Sequence, residues 1–140
     1  MTEKVFVDSN ILIYARDLDE GRKREVAAAR LAELWQDKRG VISTQVLQEF
    51  YVTATRKLRL PMSRREARAV VSSYASWPVE TITVPHLVHA SEIEERHRIS
   101  FWDGLIVAAA VRAGATRILT EDLNHGQRLE GVVVENPFAS

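Results

Sequence analysis

Between Asp103 and Arg112 the chain runs Gly104-Leu105-Ile106-Val107-Ala108-Ala109-Ala110-Val111 without a charged or strongly polar side chain. Ser100 stands ahead of it as a candidate N-cap, so the segment reads as a helix. A helix that is apolar all round has to be covered on every side. The uninterrupted apolar run is far shorter than the roughly 20 residues a membrane span needs, so the cover must be protein. The segment therefore belongs in the middle of a folded domain.

The rest of the chain alternates short apolar runs with amphipathic stretches. Val5-Phe6-Val7, Val41-Ile42-Ser43, Thr81 to Val84, Arg117 to Thr120 and Gly131 to Val134 read as strands. A helix begins near Ile11. A second, Arg24 to Lys38, sets Ala27, Leu31, Leu34 and Trp35 on one side and stops at Gly40. A third, Thr44 to about Leu58, carries Val46, Leu47, Phe50, Tyr51 and Ala54 on one face, and Pro61 closes it. Ser63 opens the next as a capping box with Glu66, and Pro85 starts another that runs to about Arg98. Strands separated by helices predict right-handed crossovers and an α/β fold: a three-layer sandwich with a central parallel sheet of four or five strands and helices on both faces.

With 140 residues, 46% of them hydrophobic, the chain fits a single domain over residues 1–140. Met1-Thr2-Glu3-Lys4 leads directly into the first strand with no signal-peptide pattern. The reading is a soluble, cytoplasmic protein with no membrane segment. Zero cysteines exclude disulfides, thiolate metal sites and cysteine nucleophiles. Net charge is zero, but Arg56, Lys57, Arg59, Arg64, Arg65 and Arg68 cluster against the single acid Glu66. That segment is either a phosphate-binding patch or a solvated helix face.

Four acids fall just after strands or early in helices: Asp8, Glu49, Asp103 and Asp122. If the strands form one parallel sheet, these positions converge on its carboxyl edge, where open α/β folds bind ligands. Carboxylates gathered there repel one another unless a cation sits between them, and an all-oxygen set matches a hard ion such as Mg²⁺ or Mn²⁺. Each acid also has a structural explanation. Asp8 could be an N-cap; Asp103, three residues after Ser100, could serve the helix dipole; Asp122 could be a turn former. Glu49 projects with Gln45, Thr53 and Arg56, and periodicity alone would leave it on the surface. Ser9 and Asn10 beside Asp8 favour a site there, whereas Thr120 and Asn124 could assist Asp122 in either role. The histidines, among them His86 and His89 one helical turn apart, lack a third nitrogen ligand and read as surface residues.

Asp8-Ser9-Asn10-Ile11-Leu12-Ile13-Tyr14-Ala15, the segment from Gln45 to Tyr51 around Glu49, Phe101-Trp102-Asp103-Gly104-Leu105-Ile106-Val107-Ala108-Ala109-Ala110 and Leu119-Thr120-Glu121-Asp122 resemble, in order, the motifs of PIN-domain ribonucleases. The likeness is to VapC-type toxins of bacterial toxin–antitoxin pairs and runs from Val5 to about Pro137. It implies a PIN-like fold with Asp8, Glu49 and Asp103 as core acids and Asp122 as the fourth. Where family members often carry a further acid and a bulky residue, this chain has Asn124 and His125.

The resemblance implies endonucleolytic RNA cleavage assisted by Mg²⁺ or Mn²⁺. Asp8 and Asp103 are expected as direct ligands, with Glu49 and Asp122 for a second ion or for orienting water. Ser9, Asn10, Thr120 and Asn124 are expected to support them by hydrogen bonds. It also implies a homodimer bound by a cognate antitoxin, with Trp35, Tyr74 and Trp77 contributing apolar surface beyond their core packing. Two other readings compete with this one. An aspartyl-nucleophile phosphatase would place an acid where Asn10 stands and would need a lysine partner. A PIN-like binding module would use the acids only as caps.

Overall fold

The computed structural model describes residues 3–139; Met1 and Thr2, at the start of the N-terminus read above, lie outside the described residues. In chain order the elements are β1 (Val5–Val7), α1 (Ser9–Arg16), α2 (Gly21–Asp37), β2 (Gly40–Ser43), α3 (Thr44–Arg56), α4 (Arg64–Ser73) with a 3-10 turn at Tyr74–Ser76, β3 (Val79–Glu80), α5 (Val84–His97), α6 (Phe101–Arg112), β4 (Arg117–Leu119), β5 (Arg128–Leu129) and β6 (Val132–Glu135). The sheet order is β3-β2-β1-β4-β6-β5. Five strands run parallel, and only β5 is antiparallel, on β6.

Every residue of β1 and β2 is buried, as expected of central parallel strands covered on both faces. The apolar helix α6 is buried from Gly104 to Ala110. It packs on β2, β4 and β6 and is covered in turn by α5. Their approach is close at Gly104, where an added Cβ would stand 2.6 Å from the Ala90 carbonyl oxygen. Helix α1 packs on both α2 and α3, and α4 packs on α3.

Several expectations are corrected. The third strand is Val79–Glu80 rather than Thr81 to Val84, because Thr83 is taken as the N-cap of α5. His86 is no surface residue: its buried ring accepts at Nδ1 from the Thr83 N–H at 3.0 Å and meets Glu80 Oε2 through Nε2 at 2.8 Å. Helix α2 ends not on glycine but on Lys38, at φ 56°. Gly40 lies inside β2 instead, where a Cβ would come within 2.3 Å of the Trp77 ring. Helix α3 stops at Arg56, well before Pro61.

The two-residue β5 has no apolar alternation to reveal it. It returns into β6 through Glu130 and Gly131, both at positive φ (53° and 83°). The Glu130 carboxylate is gripped by Arg96 at 2.6 Å, His97 at 2.8 Å and His89 at 3.4 Å, tying this hairpin to α5.

Gly104→Ala tests the α5–α6 contact. Helix propensity alone would favour alanine by about 1 kcal/mol. The backbone carbonyl of Ala90 cannot move as a side chain could, and overpacking of this kind costs about 1–3 kcal/mol. The variant is expected to melt lower than wild type by differential scanning calorimetry; an increase in melting temperature would show that the helices can part at no cost.

Candidate active site

β1 lies between β2 and β4 in the sheet, so the carboxyl ends of the three strands are neighbours. Asp8 follows β1 and N-caps α1, accepting from the Ser9 N–H at 2.7 Å. Thr120, Glu121 and Asp122 follow β4. Glu49 lies in the second turn of α3, directly after β2. Asp103 is in the first turn of α6, its N–H capped by Ser100 Oγ at 3.0 Å.

Hydrogen bonds knit the groups together. The Thr120 hydroxyl donates to Asp8 Oδ2 at 2.8 Å and accepts from the Asp122 N–H at 3.1 Å. Asn10 Nδ2 stands within 3.4 Å of Asp8 Oδ2, 3.2 Å of Thr120 Oγ1 and 3.2 Å of Asp122 Oδ2, and Asn10 Oδ1 accepts from the Glu121 N–H at 3.3 Å. The Ser9 hydroxyl donates to Glu49 Oε1 at 3.2 Å. Gln45 Nε2 reaches both Glu49 Oε2 and the Trp102 carbonyl at 3.4 Å, linking α3 to the start of α6.

Each of Asp8, Glu49 and Asp103 holds its proton more tightly than an ordinary carboxyl. Burial is the first cause in all three. Mutual repulsion adds to it: Asp122 acts on each of the other acids, Glu49 on Asp8, and Asp103 on Glu49. Asp8, only 4% exposed, is pushed up to about 7 despite its bonds to Thr120 and Ser9. The donor set of carboxylates, hydroxyls and amide oxygens has the chemistry of a hard-cation site. Among the described residues no three of the acids converge closely enough to ligate one ion in this arrangement. The Asn10 amide stands between Asp8 and Asp122, and Ser9 and Gln45 hold Glu49.

The structure thus brings together Asp8, Ser9, Asn10, Glu49, Asp103, Thr120 and Asp122. Asn124 is exposed, and its backbone carbonyl, not its side chain, is engaged, accepting from the Gln127 N–H at 3.0 Å. Periodicity misplaced Glu49, which is half-buried, and Gln45, which is buried. Gln45 was not singled out as a site residue at all; its one visible signal was its position a helical turn before Glu49. The six basic side chains of the segment are all exposed, and they border different parts of the surface. Lys57 lines a cleft with Glu49 and Asp122, Arg59 pairs with Asp19 at 3.3 Å, and Arg68 borders a separate hollow with Leu47, Tyr51 and Val71.

The raised carboxyl of Asp8 has a definite consequence for stability. The native state keeps the proton up to about pH 7, whereas the unfolded chain releases it near 3.8. Stability from this group is therefore fully present below pH 3.8 and lost as pH rises through 7. In EDTA, Asp8→Asn is expected to remain folded and to lose less stability than wild type between pH 4 and about 7.5. Urea titrations at a series of pH values measure it, and parallel curves for the two proteins would remove the buried charge as the cause.

A family model described as "PIN domain" matches residues 5–128. No curated protein matches the sequence. Among solved structures, a toxin–antitoxin complex from Klebsiella pneumoniae is 20% identical, with a TM-score of 0.70 over 96% of this chain and 98% of that one. A DNA-bound VapBC from Salmonella typhimurium is 20% identical, with a TM-score of 0.66 over 97% and 99%. A sarcin–ricin-loop-cleaving VapC toxin from Mycobacterium tuberculosis is 20% identical, with a TM-score of 0.61 over 82% and 87%. At this identity the structures speak for the fold, and the family match spans nearly the whole sequence. With its acids on the carboxyl edge of a mostly parallel sheet, the chain belongs to the PIN domain family.

Proposed function

We propose that this protein is the toxin of a toxin–antitoxin pair, an endoribonuclease that hydrolyses RNA phosphodiester bonds with Mg²⁺ or Mn²⁺. One observation carries the reading: acids from four separate segments gather at one strand edge, where burial and the neighbouring Asp122 charge raise the proton affinity of Asp8, Glu49 and Asp103. Such a cluster opposes folding unless something positive compensates it. A divalent ion held there supplies that charge, polarises a phosphoryl oxygen and makes a water more acidic. Asp8 and Asp103 would hold the ion directly. Asp8 is held by Thr120 and Ser9, and Asp103 is anchored in the first turn of α6.

Glu49 and Asp122 would orient the attacking water. Glu49, held by Ser9 and Gln45, accepts its proton. Asn10 and Thr120 keep Asp8 and Asp122 in register. No side-chain nucleophile is required.

The name of the Mycobacterium tuberculosis neighbour, a sarcin–ricin-loop-cleaving toxin, and the partners of the Klebsiella and Salmonella proteins support this class of activity. For the antitoxin we favour the cavity of about 760 Å³ bordered by Leu18, Leu31, Trp35, Leu60, Met62 and Tyr74. Tyr74 and Trp77 are themselves buried, and only Trp35 of the three aromatic residues retains substantial exposure, 37%. Apolar side chains exposed on α5, Val84, Leu87 and Val88, are the surface we assign to a homodimer. Among the described residues no helix is long and apolar enough to cross a membrane, and we assign the activity to the cytoplasm.

Two outcomes are expected. Purified, partner-free protein should cut single-stranded RNA or an RNA loop with Mg²⁺ or Mn²⁺ and stop in excess EDTA; full activity in EDTA would sink the metal mechanism. Asp103→Asn separates the nuclease from a binding module in which Asp103 is only a cap. If it only caps, the variant loses roughly 0.3–1 kcal/mol with or without metal. If it belongs to the site, the variant is at least as stable as wild type in EDTA and inactive on RNA. It also gains far less than the about 2.7 kcal/mol that a hundredfold excess of Mn²⁺ over its dissociation constant gives wild type. Melting curves in EDTA and in Mn²⁺, beside a cleavage assay, decide between them.

A further inference from the structure

The acidic site continues into a cleft along α3. A cavity of about 420 Å³ has Ser9, Glu49 and Asp122 in its wall together with Gln48, Thr53 and Lys57. Lys57, the C-cap of α3, is the cation that borders it. Eight residues separate it from Glu49, a displacement of about 12 Å along the helix axis at 1.5 Å per residue. At that offset Lys57 borders the cleft without pairing with Glu49, whose carboxylate is held by Ser9 and Gln45.

An RNA strand entering this cleft meets like charge at one end. A cation among the acids compensates the phosphate being cleaved, but the neighbouring phosphates remain opposed by Glu49 and Asp122 and need a second positive group. Resting on the ribonuclease reading, the geometry points to Lys57 as the holder of a backbone phosphate next along the strand from the scissile one, with Gln48 and Thr53 as the uncharged polar wall between. This sorts the basic segment. Arg59 is committed to Asp19, Arg68 borders the hollow on the α3–α4 side, and Arg65, in the first turn of α4, is outside the cleft wall. The contact is electrostatic and carries no sequence information.

Fluorescence anisotropy with a short single-stranded RNA in EDTA, where nothing is cut, gives the dissociation constant across about 50–200 mM salt. Lys57→Gln is expected to flatten the plot of log affinity against log salt by about 0.7, the value for one phosphate contact on a single strand, and to weaken binding about fivefold near 0.1 M salt. Arg65→Gln should change neither. A slope for Lys57→Gln equal to that of wild type, or an equal loss in Arg65→Gln, overturns the proposal and returns the segment to solubility or to a protein partner. Cleavage by wild type in Mn²⁺ is scored separately. Protein that binds RNA through Lys57 but never cuts would refute the nuclease reading and leave this subsite standing. Protein that cuts with an unchanged Lys57→Gln slope would do the reverse.

Discussion

Asp8 places a carboxylate, only 4% exposed, at the end of the central strand, and the surrounding structure is organised around making that tolerable. A buried charge needs hydrogen-bond partners or it gives up its charge. The partners come from the sheet register. Val7 stands opposite Leu119 in the parallel β1–β4 pair, and the Asp8 N–H donates to the Leu119 carbonyl at 3.0 Å. The next position on β4 is Thr120, whose hydroxyl reaches Asp8. Thr120 is set in turn by β6, through its N–H to the Glu135 carbonyl at 3.0 Å. Three adjacent parallel strands thus fix the donor that one acid requires.

The same strand end separates Glu121 from Asp122. Asp122 turns toward Asn10 and the other acids. Glu121 is drawn into a different grouping, accepting from the Tyr14 hydroxyl and pairing with Lys23 at 2.9 Å. Lys23 lies 4.8 Å from the centre of the Tyr14 ring and 5.4 Å from that of Phe138, and the two rings meet edge to face at 5.2 Å. These contacts join α1, α2 and the C-terminal segment to the loop after β4. They hold that loop while neutralising an acid that would otherwise add to the repulsion next door.

Much of the architecture was legible because local rules were strong. Ser63 and Ser100 cap their helices as their spacing implies, and the all-apolar stretch after Asp103 is buried as its composition demands. What escaped depended on neighbours. β3 and β5, at two residues each, are too short to carry a period and exist because longer strands offer them an edge. Lys38 and Arg98 take left-handed cap positions at φ 56° that glycine would have signalled. Gly40, read as a helix stop, is small because the Trp77 ring lies over it.

The site divides along the same line. Residue types and their places after strands or early in helices nominated Asp8, Glu49, Asp103 and Asp122, since a polar residue at a strand end or beside a buried helix is conspicuous in one dimension. Periodicity alone would have left Glu49 and Gln45 on the surface, because it measures a helix against one core face only. In the fold, the opposite side of α3 faces the carboxyl edge of the sheet and the start of α6. Sequence by itself determined the longer secondary elements, the α/β class and the presence of separated acids, all of which follow from patterns a few residues long. Only the tertiary structure decided that β1 sits between β2 and β4. It decided too that Asn10 bridges acids more than a hundred residues apart in sequence and that Lys57 alone of its basic segment borders the acidic cleft. Strand order and long-range register place those groups, and neither is written in any local pattern.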